Sequence, residues 1–331
     1  MDVVSIVIAV LVGVGIGVLS GMLGIGGGTV MVPVFKLGFG MTAIGSTATS
    51  LFAIIPTAIS GSITHVRQKT CIPKLGVLAG VGGACMSPVG VWLASQSQGW
   101  MIMLAAAIVI GYSSFTMFRK AMKAPRAGSA PADDGSNRGA SGESPVARGG
   151  APRASSMGSG IVAHYGSTAG VPPQTTGDFP EAQERLSDGG AGPAEPQGRL
   201  VDAEYGVDPK KLWLGLPIGL VAGLVAGYVG VGGGFLMVPL FLSVIGVDMK
   251  HASGSSLLAI AILSTPGAIM QILMGNVAIA IAIAVVVGSV PGAMLGARLI
   301  KRIPERELRF LFAGVLLIAA ILLVLQEIGM F

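Results

Sequence analysis

The fifteen residues Gly21-Met-Leu-Gly-Ile-Gly-Gly-Gly-Thr-Val-Met-Val-Pro-Val-Phe35 interrupt one apolar run and begin another. The same pattern returns as Gly227-Tyr-Val-Gly-Val-Gly-Gly-Gly-Phe-Leu-Met-Val-Pro-Leu-Phe241, at a constant offset of 206 residues. Nine of the fifteen positions are identical, among them the glycine triplet and the Val-Pro pair. A repeat at a fixed offset predicts two copies of one structural unit, and this divides the rest of the chain into two halves.

The composition around these stretches is that of a membrane protein. The chain is 52% hydrophobic and 11% charged, with a mean hydropathy of +0.78. Soluble domains carry about 25% charged residues. The net charge of +5 does not indicate nucleic-acid binding, because the basic residues lie beside apolar runs, where they act as topology signals. We therefore expect a lipid bilayer and a small solute as partners, and no nucleic acid.

Residues 124–209 separate the two halves and differ from them in composition. They contain sixteen Gly and ten Pro, with eleven acidic and six basic residues, and they include hardly any aliphatic run. Such a segment buries too little apolar surface to offset its chain entropy, so we predict a disordered hydrophilic insert. The predicted organisation is a first membrane repeat at 1–123, the insert at 124–209, and a second membrane repeat at 210–331.

The apolar runs of each half predict five helices, and the first two of these flank the glycine turn. The first run, Val3 to Leu23, is long enough to cross a ~30 Å hydrocarbon core. The run after the turn, Thr29 to Phe39, is too short for a full span and predicts a half-membrane helix. Longer runs follow at 46–64, 75–93 and 100–118, and their counterparts lie at 253–273, 277–295 and 310–325. The sequence leaves open whether the first two helices span fully or form a re-entrant hairpin.

The basic residues predict opposite orientations for the two halves. Arg67, Lys69 and Lys74 crowd the third connection of the first half, whereas Arg298 and Lys301 lie in the fourth connection of the second. Under the positive-inside rule the halves are inverted and the insert is cytoplasmic. The predicted fold is an all-α polytopic protein of the cell inner membrane, with two inverted-topology repeats of about five helices each and short helices after glycine-rich turns. Such repeats are typical of secondary transporters.

The glycine triplets are the first candidate substrate site. They open the backbone at membrane depth, which is tolerated only where the backbone is buried in protein or lines a wet cavity. The short helix after each triplet has free N–H groups and a dipole that suit an anion. The candidate residues are Gly26, Gly27, Gly28, Pro33, Gly232, Gly233, Gly234 and Pro239. The alternative is that the glycines only allow a tight helix crossing.

Hydroxyl side chains at the start of the third helix are the second candidate. Thr49 and Ser50 are matched by Ser255 and Ser256, and hydroxyls donate to oxyanions without bringing a full charge into lipid. The alternative is back-bonding to carbonyls of their own helix. His65, matched by Gln271, stays a lesser candidate, because a histidine at a helix end is more often an interfacial polar residue than a proton relay.

Several classes of function are disfavoured. No Asp or Glu lies inside an apolar run, which argues against a carboxylate-driven cation pump and favours an anion as substrate. The chain has no GxxxxGK[ST] and no HExxH motif, so neither ATP hydrolysis nor a zinc protease is expected. We predict no catalytic residue, metal or cofactor. A non-transporting membrane scaffold or accessory subunit stays open as the alternative, and so does assembly into a homo-oligomer.

Three features together resemble the TauE/SafE family, also called the sulfite exporter family. They are the doubled G-x-x-G-x-G-G-G-x-x-x-V-P pattern, the Ser/Thr-Ser-Leu opening of the third helix, and the segment Gly292-Ala293-Met-Leu-Gly296-Ala297. The resemblance covers about residues 3–123 and 212–326. It implies a multi-pass transporter for small sulfur-containing or organic anions such as sulfite or sulfoacetate, with the matching glycines and hydroxyls assigned to the substrate.

Overall fold

The computed structural model describes residues 3–123 and 209–327, and these ranges form helices with no β-strand. The predicted disorder of the insert at 124–209 lies outside the described residues, apart from its last position. Two sets of five helices are present, as the repeat predicts.

The helices of the first half are α1 (Val3–Leu23), α2 (Gly28–Phe39), α3 (Ala43–Arg67), α4 (Pro73–Gln96) and α5 (Gly99–Lys123). Those of the second half are α6 (Gly215–Val229), α7 (Gly234–Leu240), α8 (Met249–Leu273), α9 (Ile279–Leu299) and α10 (Glu305–Glu327). A single turn, Pro209–Leu212, precedes α6; a π-helical turn, Phe241–Ile245, follows α7; and a 3₁₀ turn, Ile300–Arg302, follows α9. The helices long and apolar enough to cross a membrane are α1, α3, α4, α5, α8, α9 and α10.

Two of the long helices, α3 and α8, begin before the predicted apolar runs, and a polar residue caps each of them. Thr42 precedes α3, and its Oγ1 accepts the backbone N–H of Gly45 at 3.1 Å. Asp248 precedes α8 in the same way and accepts the N–H of His251 at 3.0 Å. Each cap adds several residues before the apolar run begins.

Small residues hold the helices of one half against the other. α1 packs along α9, and α4 packs along α6. A side chain at Gly17 would overlap the backbone of Ser289, and one at Gly223 would overlap the backbone of Gly83. Glycines recur every four residues on α1 and on α6, and they serve close helix packing, which is the role expected of small residues in lipid. They are Gly13, Gly17 and Gly21 on α1, and Gly215, Gly219, Gly223 and Gly227 on α6.

The directions of the helices agree with the predicted inversion. α3 runs parallel to α9, because Thr49 Oγ1 accepts the N–H of Ala278 and, further along both helices, the hydroxyls of Thr57 and Ser289 lie 2.6 Å apart. α9 is joined to α8 by the short connection 274–278, so those two helices are antiparallel. α3 therefore runs opposite to its counterpart α8.

One end of the bundle gathers the basic residues. The rings of Phe118 in α5 and Phe310 in α10 are 5.7 Å apart, and Gly215 at the start of α6 contacts Leu75 near the start of α4. The helix ends around 123 and 209 are thus at this same end. The basic residues of its helix ends and connections include Arg67, Lys69, Lys74, Arg119, Lys120, Lys211, Lys250, Arg298, Lys301, Arg302, Arg306 and Arg309. Lys36, near the end of α2, lies towards the opposite end.

The outside of the bundle is apolar along its length. Large exposed side chains include Leu11, Trp92, Ile108, Phe115 and Ile318. A surface of this composition on long helices is suited to lipid rather than to water. The chain is a multi-pass membrane protein.

Candidate substrate site between the glycine turns

The two glycine turns meet at the centre of the molecule. A side chain at Gly28 would overlap the carbonyl of Val231, and a side chain at Gly234 would overlap the carbonyl of Gly24. The backbone of each turn thus packs directly on the backbone of the other. This contact is of the kind that the alternative interpretation of the glycines predicts, namely a close crossing of the chain.

Backbone conformation adds a second requirement for glycine. Both turns use φ values between 70° and 88°, a left-handed conformation that other residues adopt with strain. The residues in this conformation are Gly24, Gly26, Gly27, Gly230, Gly232 and Gly233. Because substitutions at these positions disturb the turn itself, they do not isolate a role in substrate binding.

Two isoleucines fill the space beside the turns. Ile54 and Ile260 are fully buried near the middle of α3 and α8, and they occupy equivalent positions of the repeat. A Cβ at Gly26 would lie 3.1 Å from Ile260 Cδ1 and 3.4 Å from Ile54 Cγ2. A Cβ at Gly232 would lie 3.0 Å from Ile54 Cδ1 and 3.6 Å from Ile260 Cγ2. Each isoleucine therefore contacts both turns. We call this pair the isoleucine plug.

Two of the predicted hydroxyls bind the opposite turn. Ser256 Oγ donates to the carbonyl of Gly24 at 2.8 Å, and Ser50 Oγ donates to the carbonyl of Gly230. Both bonds run from a buried side chain of one half to the glycine turn of the other. The same hydroxyls also contact carbonyls of their own helices, so the predicted back-bonding is present as well.

The other two hydroxyls bind the connections before the fourth helices. Thr49 Oγ1 accepts the N–H of Ala278 at 3.0 Å, and Ser255 Oγ accepts the N–H of Ile72 at 2.9 Å. These two bonds are equivalent under the repeat offset. All four predicted hydroxyls therefore tie one half to the other, and their role towards substrate stays a prediction.

The two candidate prolines lie beyond the turns. Pro33 lines a groove of about 160 Å³ between α2 and α10. The carbonyl of Pro239 accepts Lys120 Nζ at 2.8 Å and Ser243 Oγ at 2.6 Å. The surroundings of the prolines differ between the halves, although the prolines themselves are equivalent.

His65 connects the end of α3 to the end of α1. It is fully buried, with Nε2 2.8 Å from the carbonyl oxygen of Gly21 and Nδ1 2.8 Å from Thr70 Oγ1. A carbonyl only accepts, so Nε2 carries a proton. The equivalent pair in the second half is Gln271 and Asn276, whose side chains are 2.8 Å apart. His65 is thus a buried structural link rather than an interfacial residue.

Sequence reasoning missed three features of this centre. The isoleucine plug is made of ordinary apolar residues, and only the repeat offset pairs Ile54 with Ile260. The other two features are the hydroxyls of Ser20 and Thr29, which are buried beside the first turn without a hydrogen-bond partner among the described residues. The signal was that their counterparts at the same offset, Ala226 and Phe235, carry no hydroxyl.

The fold is that of a multi-pass membrane protein made of two copies of a five-helix unit. At its centre the backbones of the two glycine turns pack against each other. A comparison of the sequence with family profiles matches residues 9–177 and 188–323 to the sulfite exporter TauE/SafE family. The chain therefore belongs to that family, which is one of membrane transport proteins for sulfur-related anions. No curated protein and no solved structure matches the chain.

Proposed function

We propose that the chain is a secondary transporter for a small sulfur-containing oxyanion, sulfite or an organosulfonate, which works by alternating access. The observation that carries the proposal is the meeting of two glycine turns of opposite orientation at mid-depth, closed by the isoleucine plug. Binding at the interface of inverted repeats is the arrangement that secondary transporters use.

The symmetry of the central contacts supports an occluded state. The bonds of Ser50 and Ser256 to the opposite turns are equivalent, and so are those of Thr49 and Ser255 to the opposite connections. When both halves make the same contacts, neither side of the membrane is favoured. If the bundle opened to one side of the membrane, one hydrogen bond of each equivalent pair would break and the other would remain.

The charge of the substrate is inferred from the chemical groups at the centre of the bundle. In the described helices, Asp and Glu lie only near helix ends, so no carboxylate is available at mid-depth for a cation. Backbone N–H groups and hydroxyls are donors that suit an oxyanion. This choice of groups supports a small anion.

The orientation is part of the proposal. We place the basic end of the bundle in the cytoplasm by the positive-inside rule, with the insert on that side and the protein in the plasma or inner membrane. Cysteine labelling tests this in a Cys85→Ser background, because Cys85 is the exposed native cysteine and Cys71 is buried. Burial raises the pKa of the Cys71 thiol to about 11, so this native thiol contributes little labelling.

The labelled positions are exposed residues at opposite ends, Gln98→Cys and Lys301→Cys. An impermeant maleimide should label position 98 on intact cells and position 301 only after permeabilisation. Labelling of both positions from the same side would overturn the inverted arrangement.

Proteoliposomes test the transport activity itself. We expect saturable uptake of sulfite or a small organosulfonate such as sulfoacetate, above empty liposomes and above liposomes holding an unrelated membrane protein. Carboxylates of the same size serve as the comparison anions. Folded, correctly inserted protein without flux for any anion of the panel would support a scaffold or accessory subunit instead.

A further inference from the structure

Two buried hydroxyls beside the first glycine turn have no hydrogen-bond partner among the described residues. Ser20 and Thr29 are both fully buried, and neither Ser20 Oγ nor Thr29 Oγ1 meets a donor or acceptor there. Buried hydroxyls are normally satisfied, and each exception calls for a reason. Other hydroxyls in these helices, such as that of Thr57, bond to carbonyls of their own helix.

The position of these hydroxyls sets them apart from other unpartnered ones. Ser87, Ser113 and Ser264 are also buried without a partner in the described part of the chain, but each lies in the interior of a long helix. Ser46 lies in the first turn of α3, whose start is already capped by Thr42. Thr29, by contrast, lies at the uncapped start of α2, and Ser20, in the last turn of α1, lies beside Gly27, the N-cap of α2.

The start of α2 offers further donors at the same place. Gly27 is its N-cap and provides no side-chain cap, and a Cβ at Gly27 would lie 3.4 Å from Ser20 Cβ. Val30 and Met31 donate their N–H groups to the carbonyl of Gly27. The N–H groups of Gly28 and Thr29 come before these and have no acceptor within the helix. Two buried hydroxyls and two N–H groups thus belong to residues around the start of α2, where the helix dipole is positive.

The second glycine turn lacks this set of donors. The counterparts of Ser20 and Thr29 are Ala226 and Phe235, and both are fully buried apolar residues. The N–H of Gly234 is already bonded to the carbonyl of Gly232 at 2.9 Å. The two turns have the same backbone conformation, but the first has more free hydrogen-bond donors around it than the second.

We propose that a small oxyanion binds at the start of α2, held by the hydroxyls of Ser20 and Thr29 and by the N–H groups of Gly28 and Thr29. The inference rests on the proposed function and makes the central site one-sided. In the occluded state, Ile16 Cγ2 and Met31 Cε lie against Gly27 and cover this position. The flexible thioether of Met31 is the part that must move to admit the anion.

The test removes the two hydroxyls with little change of shape, in the full chain. The double variant Ser20→Ala and Thr29→Val should raise the half-saturating concentration of sulfite at least tenfold in proteoliposomes. Its maximal rate should change much less. The matched control is Ser87→Ala with Ser264→Ala, which removes two equally buried, unpartnered hydroxyls and should leave both parameters unchanged.

A binding measurement separates this site from the transport proposal. Sulfite, sulfate and sulfoacetate are added to detergent-solubilised protein, and the rise of the melting temperature is recorded. We expect stabilisation of the wild type by at least one of these anions, and its loss in the double variant but not in the control. This result supports the site even if no flux is seen, in which case the transport proposal alone fails.

Two results would overturn the site. One is a double variant with wild-type half-saturation and wild-type anion stabilisation. The other is a wild-type protein that none of the three anions stabilises. The conservative variant Ser20→Thr, which keeps the hydroxyl, should retain stabilisation and thereby shows that the hydroxyl rather than the side-chain volume is required.

Discussion

The two glycine turns share nine of fifteen residues and one backbone conformation, yet their surroundings differ. Around the first turn lie the hydroxyls of Ser20 and Thr29, which have no hydrogen-bond partner among the described residues, and α2 continues regularly to Phe39. Around the second turn the equivalent residues are apolar, and α7 ends in a π-helical turn. The difference shows which parts of the repeat serve the contact between the halves and which parts belong to one half only.

The shared parts are those that touch the opposite half. The glycines, the isoleucine plug and the four hydroxyl bonds each have a counterpart at the same offset. Under the alternating access that we propose, the two halves would exchange these contacts, so both copies must be able to make them. The unshared parts have no such constraint and are free to specialise.

The largest expected effect breaks the shared contact between the turns. Gly28→Ala should overlap the carbonyl of Val231, and Gly234→Ala should overlap that of Gly24, so each variant should lose its folded peak in size-exclusion chromatography. Gly111→Ala is the control, because open space surrounds Gly111 on α5. It should leave the protein folded and up to about 1 kcal/mol more stable. A folded, active Gly28→Ala variant would contradict the backbone-to-backbone contact.

The next effect opens the isoleucine plug. Ile54→Ala with Ile260→Ala should increase passive leak of chloride and nitrate from proteoliposomes, because the methyl groups between the turns are removed. The control is Leu51→Ala with Leu257→Ala, which truncates equally buried residues one turn earlier on the same two helices. Each substitution in either pair should reduce stability by about 2–5 kcal/mol. Equal leak from both pairs would show that the plug is ordinary core.

A smaller effect compares the paired hydroxyl bonds. Ser50→Ala and Ser256→Ala each remove a donor to the opposite turn, which leaves the carbonyl of Gly230 or Gly24 with one bond fewer. Each should lower the free energy of unfolding by about 1 kcal/mol. Thermal melting in detergent checks this. Strongly unequal losses would mean that the two bonds do not have equivalent roles.

The smallest effect concerns a contact at Pro239, the candidate proline of the second half. Lys120 donates to the carbonyl of Pro239, and so does the hydroxyl of Ser243, just where α7 changes to the π-helical turn. Lys120→Met should lower stability by about 1 kcal/mol and leave sulfite binding at the first turn unchanged. Melting with and without sulfite measures both. A loss of sulfite stabilisation would tie the second half to the site.

Much of the fold could be predicted because its signals are local or repeated. Apolar length indicates the spans, the fixed offset indicates two copies, and the charges at the connections indicate inversion. The helix starts were less accessible, because the caps at Thr42 and Asp248 lie outside the apolar runs.

The candidate site was predicted less completely, because it depends on contacts between residues far apart in the chain. The sequence predicts the hydroxyls of Ser50 and Ser256 as substrate donors, and the structure shows them bonded to the opposite turn. Ser20 is a single serine in an apolar run, and its lack of a partner is visible only once the helices are packed. The sequence offered one indication beforehand, because the second copy has an alanine, Ala226, at the position equivalent to Ser20.

Solute counterflow tests the central claim most directly. Proteoliposomes loaded with unlabelled sulfite are diluted into a trace of radiolabelled sulfite, and internal label is followed over time. Two inverted halves that expose one site alternately predict a transient accumulation of label above its equilibrium level, which the Ser20→Ala and Thr29→Val pair should suppress. Label that rises only to equilibrium, or does not enter, would contradict alternating access to a site between the glycine turns.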